Sequence, residues 1–371
     1  MTVGTGVEVE FRDQPSNALA GGRPQGSEIP IGRSGPLAKA RLLVPGAVAT
    51  ALVAAVATAL GGLAPVVGAP VIAILFGIAI SLVRRPSGQL RPGIAFSSKY
   101  VLQASVVVMG TGLSLGEVVT TGGASLPVLV GTLVIALAMA WAAGRMLGLR
   151  SDLRTLIGVG TAICGASAIA ATDAVIDADE ADVSYAIATI FTFNVVAVLT
   201  YPTIGHALGF SQHTFGLWAG TAINDLSSVV AASTIYGHTA AAYGVIVKLT
   251  RTLAIIPISL GIAAFRGWRR EEAVEASSGG RVELRRILPL FILAFLAAVV
   301  VNTLGLVPQG WHHPLSILST WMITAALAAI GLSTNLGHIR RTGFRPLALG
   351  AVLWATVGLT SLGLQALTGT L

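Results

Sequence analysis

From Leu126 to Gly144 the chain reads LPVLVGTLVIALAMAWAAG, without one charged side chain. A helix needs about twenty predominantly apolar residues to cross ~30 Å of hydrocarbon. Blocks of this kind recur along the 371 residues, and they are continuous rather than alternating with a period of 3.6 or 2. Only 11% of the residues are charged and the mean hydropathy is +0.81. Soluble domains carry about 25% charged residues, so too few remain here to cover a water-facing surface. The expected fold is an all-α polytopic membrane protein.

Eleven candidate spans are read near 42–63, 68–84, 98–117, 126–148, 153–173, 182–207, 212–236, 240–264, 286–304, 314–335 and 346–368. The net charge of +7 does not point to nucleic acid, because the basic residues sit in short clusters between apolar blocks. Arg33, Lys39 and Arg41 precede the first span. Arg84, Arg85, Arg91 and Lys99 flank the second connection, and Arg145, Arg150 and Arg154 the fourth. The eighth holds Arg266, Arg269, Arg270, Arg281, Arg285 and Arg286, and the tenth Arg340, Arg341 and Arg345. These are alternate connections, so the charges predict a cytoplasmic N-terminus and an extracytoplasmic C-terminus. The fifth connection is acidic, with Asp173, Asp177, Asp179, Glu180 and Asp182, and is expected on the outer side. Residues 1–41 are polar and read as a disordered cytoplasmic tail, leaving 42–371 as the membrane domain. The single cysteine, Cys164, excludes an intrachain disulfide.

Two internal echoes appear. TAICGASAIAA (161–171) resembles TAINDLSSVVAA (221–232), and GTGLSLGEVVTTGGASLPVLVG (110–131) resembles AIGLSTNLGHIRRTGFRPLALG (329–350). In the eleven-span topology the first pair runs in one direction and the second pair in opposite directions. Inverted repeats of this kind build many secondary transporters. The first echo is also open to reuse of a motif, a re-entrant segment or chance among small residues.

The fifth span is unusually rich in small residues. Close packing against another helix is one explanation. A break near Cys164, Gly165 and Ser167 is the other, with free N–H groups facing an anion. Ionisable residues in the spans favour function, since a charge at mid-bilayer costs at least ~2.5–3.5 kcal/mol. Lys248 and Arg251 share a helical face and are expected to attract an anion, while Asp225, beside Asn224, is expected to titrate or bind a coupling cation. A purely structural pair between Asp225 and Lys248 is the competing reading. Gln103 and Ser114 could line the same cavity, and Asn194, Asn302, Asn335 and the histidines read as helix glue or interfacial groups. GLSLG (112–116) matches G-x-S-x-G, but that motif needs a strand–turn–helix elbow. An intramembrane hydrolase using Ser167 and His206 has nothing to bring the two together. No P-loop, H-E-x-x-H, C-x-x-C or Rossmann fingerprint is present, so no cofactor, metal or catalytic residue is expected.

GVGTAICGASAIAATDAVIDA (158–178), FGLWAGTAINDLSSVVAAS (215–233), VKLTRTLAIIP (247–257) and AAIGLSTNLGHIRRTGFRPL (328–347) together resemble the YeiH family of bacterial inner-membrane proteins, also called UPF0324 or the sulfate exporter family. The resemblance covers residue 42 to the C-terminus. It implies a secondary transporter exporting a small anion, of the sulfate or sulfonate class, with a coupling proton or sodium ion and, as a further arrangement, a homodimer. It also implies broken helices that cross in a core, at Cys164–Ser167 and at Gly331–Asn335, beside a second panel of helices. Lys248 and Arg251 match the family's basic pair. Asn224-Asp225 stands where that family has His-Glu, and Gln103 where an arginine is common. A cation/proton exchanger is the alternative function.

Overall fold

A computed structural model describes residues 36–63, 69–254, 258, 261, 290–334 and 343–371. Nearly all of them are helical, as lipid requires of a chain whose backbone groups have no water to bond. In chain order the helices are α1 (Pro36–Leu63), α2 (Ala69–Val83), α3 (Arg91–Phe96), a π-helical turn (Ser97–Val101), α4 (Leu102–Gly110), α5 (Leu115–Met146), α6 (Ser151–Ala162), α7 (Ala166–Ile176), α8 (Glu180–Ala207), α9 (Gln212–Ala222), α10 (Leu226–Tyr236), α11 (His238–Thr252), α12 (Leu290–Thr303), α13 (Gln309–Ser333) and α14 (Phe344–Thr368). Five of them, α1, α5, α8, α13 and α14, are long and apolar enough to cross a membrane. Residues 36–41, expected in the tail, are helical and open α1; residues 1–35 lie outside the described residues.

The helices form two groups. α1, α2, α3–α4, α12 and α13 pack together, and α5 to α11 pack with α14. Within the first group α2 and α13 approach backbone to backbone, since a Cβ on Gly331 would lie 2.9 Å from Gly77 Cα. α13 runs from Gln309 to Ser333 and packs on α2, and Thr334 after it is extended; the expected break at Gly331–Asn335 continues outside the described residues. Among the described residues the groups meet where α10 lies against α2 and α13 and α12 against α5, and side chains of α4, α8 and α11 join the apolar cluster in the seam between them. Ile74, Val106, Val230, Val245, Phe295 and Leu327 fill it.

The fifth and seventh candidate spans do not cross. In a continuous helix residues 160 and 169 would be ~13 Å apart, yet a Cβ on Gly160 would meet Ile169 Cδ1 at 3.0 Å. α6 and α7 are therefore antiparallel arms of a re-entrant hairpin. Its open end is closed by Arg150, which pairs with Asp179 at 2.5 Å and Asp182 at 3.4 Å. α9 and α10 form a second hairpin: Gln212 Oε1 accepts from Thr239 N at 2.9 Å, Tyr236 donates to Phe210 O at 2.5 Å, and Phe215 stacks on Tyr236 with centroids 3.8 Å apart. Asp179 and Asp182 sit at the start of α8, whereas Tyr236 stacks on His206 at its end. With 28 residues, α8 is ~42 Å long. The hairpins thus open toward opposite ends of α8.

Two expectations change with this geometry. The acidic fifth connection lies on the same side as the basic fourth, because Arg150 bonds it directly. The first sequence echo runs in opposite directions, since α7 and α10 leave their tips toward opposite ends of α8.

Candidate functional site at the hairpin tips

Each hairpin arm is about half a bilayer long. α6 has 12 residues and α9 has 11, or roughly 16–18 Å against ~30 Å of hydrocarbon. The tips consequently meet at mid-depth. They touch: a Cβ on Gly165 would lie 3.5 Å from Asp225 Cβ. Gly165 has φ +70° and ψ −128°, a conformation that glycine adopts without a side-chain penalty. This is what turns the chain from α6 into α7.

α11 begins at the open end of the second hairpin and reaches the tips after ten residues, ~15 Å along. There Lys248 and Arg251 are 0% and 1% exposed. Lys248 Nζ donates to Ile163 O at 2.9 Å and to Ile223 O at 2.7 Å. Arg251 donates from Nε to Ala162 O at 2.7 Å, from Nη2 to Thr161 O at 2.9 Å, and from Nη1 to Thr221 O. The acceptors are the last carbonyls of α6 and α9, which have no partner within their helices and carry the negative end of each dipole. The basic pair therefore caps two helix C-termini. The competing Asp225–Lys248 contact is not among these bonds.

The sequence echo is written into these bonds. Thr161 and Thr221 both give their carbonyl to Arg251, and Ile163 and Ile223 both give theirs to Lys248. At the next matched positions the tips diverge. Asp225 is the N-cap of α10: its Oδ1 accepts from Ser228 N at 2.6 Å and Ser227 Oγ at 2.8 Å, and its Oδ2 accepts from Ser228 Oγ at 3.2 Å and from Asn194 Nδ2. Its counterpart is Gly165, so the start of α7 has no side-chain cap. Asn194 on α8 also accepts from Asn224 N at 3.2 Å. The Asn224 side chain is 2% exposed and its Oδ1 has no donor among the described residues.

Beside Ser227 and Ser228 a small cleft opens between the two helical groups, walled by Ile74, Ile78, Val198 and Thr334. It has room for one or two waters.

Of the residues expected in the site, Lys248, Arg251, Asp225, Asn224, Cys164 and Gly165 come together at the tips. Ser167 lies in the first turn of α7 with its side chain exposed. Gln103 is on α4, which packs on α12 and α13. Ser114 is also elsewhere: it is the N-cap of α5, in a capping box with Glu117, and forms that helix start instead of lining a cavity. Asn335 lies outside the described residues. His206, at the far end of α8, is twelve residues or ~18 Å from the Asn194 that touches Asp225, so it is not a base for Ser167. Ser227, Ser228 and the carbonyls of Thr161, Ile163, Thr221 and Ile223 are site groups that single-residue reasoning missed.

Comparison with known proteins agrees on one family. A family model described as Conserved hypothetical protein 698 matches residues 45–350. Among curated relatives, the UPF0324 membrane protein M6_Spy0799 of Streptococcus pyogenes serotype M6 is 43% identical over 329 residues, covering 87% of this chain and 96% of the relative. UPF0324 membrane proteins of Streptococcus mutans and Streptococcus pneumoniae serotype 4 are 42% and 43% identical, covering 86% and 87% of this chain and 95% and 97% of theirs.

Proposed function

This chain belongs to the UPF0324 family of membrane proteins, and on that footing we propose that it is a secondary active transporter for a small anion of the sulfate or sulfonate class, coupled to a proton or sodium gradient. The observation that carries the reading is the charge at the paired tips. Two helix C-termini and two N-termini converge there, and their dipoles cancel. With Lys248 protonated, it and Arg251 against Asp225 leave one positive charge at mid-depth, where an uncompensated charge is expensive. A bound anion removes that excess. The start of α7 is its natural seat, because the matched start of α10 is filled by the Asp225 carboxylate, whereas here Gly165 has no side chain and only the Cys164 thiol reaches the first turn, at Ala168 N.

Hairpins that open to opposite ends of α8 agree with an inverted repeat, and the apolar seam between the helical groups, with few close backbone approaches, agrees with one group sliding against the other to expose the tips to each side in turn. The basic clusters agree with a cytoplasmic N-terminus in a bacterial plasma membrane. The direction of net transport, export in the sulfate exporter reading, follows from the gradients and not from the site.

The reading is tested by heating purified protein with sulfate, methanesulfonate, taurine, acetate or sodium chloride alone. A ligand that prefers the folded state raises the melting temperature. Stabilisation by a sulfur oxyanion, lost in Lys248→Gln, is expected. Stabilisation by sodium whatever the anion, abolished in Asp225→Ala, would instead favour the second reading, a cation/proton exchanger. That reading draws its support from Asp225 being the acidic residue of the tips.

A further inference from the structure

We infer that Lys248 carries the coupling proton and takes it up together with a monoanion of the sulfonate kind, so that the site crosses the membrane electrically neutral. The inference rests on the anion-transporter reading above and adds the coupling group and its stoichiometry.

Among the described residues three groups at the tips hold formal charge, and only one of them suits a proton carrier. Arg251 keeps its proton at any ordinary pH, and its Nε, Nη1 and Nη2 are all committed to carbonyls. Asp225 oxygens meet donors only, namely Ser227 Oγ, Ser228 N, Ser228 Oγ and Asn194 Nδ2; a proton placed there would displace one of those bonds. Lys248 differs. It has two acceptors, Ile163 O and Ile223 O. An ammonium has three N–H donors, and the amine left after proton loss keeps two. Both tips thus stay held in either protonation state, and the change is one of charge alone.

The charge census then closes in two states. With Lys248 neutral and no anion, Arg251 balances Asp225. With Lys248 protonated and a monoanion bound, the sum is again zero. Either occupancy alone leaves an unpaired charge in hydrocarbon. Among the described residues the titratable and charged neighbours are Cys164 from the α6–α7 link, Asp225 from the α9–α10 link, Arg251 on α11 itself, and Tyr201 of α8 beside Arg251. α5 and α10 meet α11 through uncharged contacts, Gly122 with Thr250 and Ser233 with Gly244. The proton enters from bulk water on the side to which the tips are exposed and leaves to water on the other side with the solute.

The test uses the full chain in lipid vesicles with labelled methanesulfonate, a monoanion, and with voltage clamped at zero by valinomycin and equal potassium. An acid-outside pH step should drive accumulation toward about tenfold per pH unit, the limit for one proton per anion, while a voltage step at equal pH should drive none. Lys248→Arg keeps charge and donors but cannot shed a proton. It should still exchange labelled for unlabelled methanesulfonate and should lose accumulation driven by pH. Should the variant fail to fold, wild-type protein in weak buffer should take up about one proton per methanesulfonate bound. Accumulation that persists in Lys248→Arg, or anion binding without proton uptake, overturns the inference while leaving anion transport standing. Wild-type protein that exchanges none of sulfate, methanesulfonate, taurine or acetate overturns the transport reading, and the inference with it.

Discussion

Arg150 at the start of α6 pairs with Asp179 at the start of α8, 29 residues on and 2.5 Å away. A membrane-spanning segment between them would hold the two a bilayer apart. The contact makes residues 151–176 a hairpin, and the same holds for Gln212 and Thr239 around residues 212–236. From these two closures follow the mid-depth tips, the shared caps and the charge balance.

Removing the shared cap should unfold the tips. Arg251→Ala leaves the carbonyls of Thr161, Ala162 and Thr221 buried without donors, at a cost on the order of 3–5 kcal/mol. A melting temperature well below wild type in detergent is expected, and Arg251→Lys should recover only part of it, because one ammonium does not reproduce the planar fork.

Gly165→Ala should be costly although space is available. The nearest side-chain atoms stand 3.4–3.5 Å from the added methyl, but φ +70° with ψ −128° strains any L side chain by about 1–3 kcal/mol. Gly123→Ala, on α5 with nothing within 4 Å, is the control, and should leave the melting temperature unchanged or slightly higher.

Asp225→Asn separates capping from charge. Asparagine keeps the cap on Ser228 N but turns its NH2 toward the donor Asn194 Nδ2, so a loss of about 1–3 kcal/mol is expected. The tips then carry one more positive charge, and thermal-shift titrations should show preference moving from methanesulfonate toward divalent sulfate. An unchanged preference would remove Asp225 from the charge balance.

Much of this was legible beforehand. Continuous apolar blocks such as 126–144 give the membrane class, the glycine-rich run at 158–167 gives the first tip, and Lys248, Arg251 and Asp225 stand out as charges in apolar surroundings. The hairpins were not legible, for a reason of parity. Taking one span out of the eleven would reverse the side of every later basic cluster. Taking two out reverses only the fifth and sixth connections, the first acidic and the second without Lys or Arg, so the charge rule is equally well satisfied. Length was ambiguous as well, since two half-helices of 11–12 residues add up to one span. The role of the basic pair was hidden because its partners are backbone carbonyls, which leave no mark on residue identity. Only the T-A-I echo at 161–163 and 221–223 hinted at two matched acceptors.

The most direct measurement is sided cysteine labelling in intact cells and inverted vesicles. In a Cys164→Ser background, single cysteines at 150, 179, 211 and 238 are probed with a membrane-impermeant maleimide. Positions 150 and 179 should react from one side of the membrane, and positions 211 and 238 from the other. Reaction of 150 and 179 from opposite sides would mean that residues 151–176 span the bilayer, and the paired tips with their shared lysine and arginine could not exist as described.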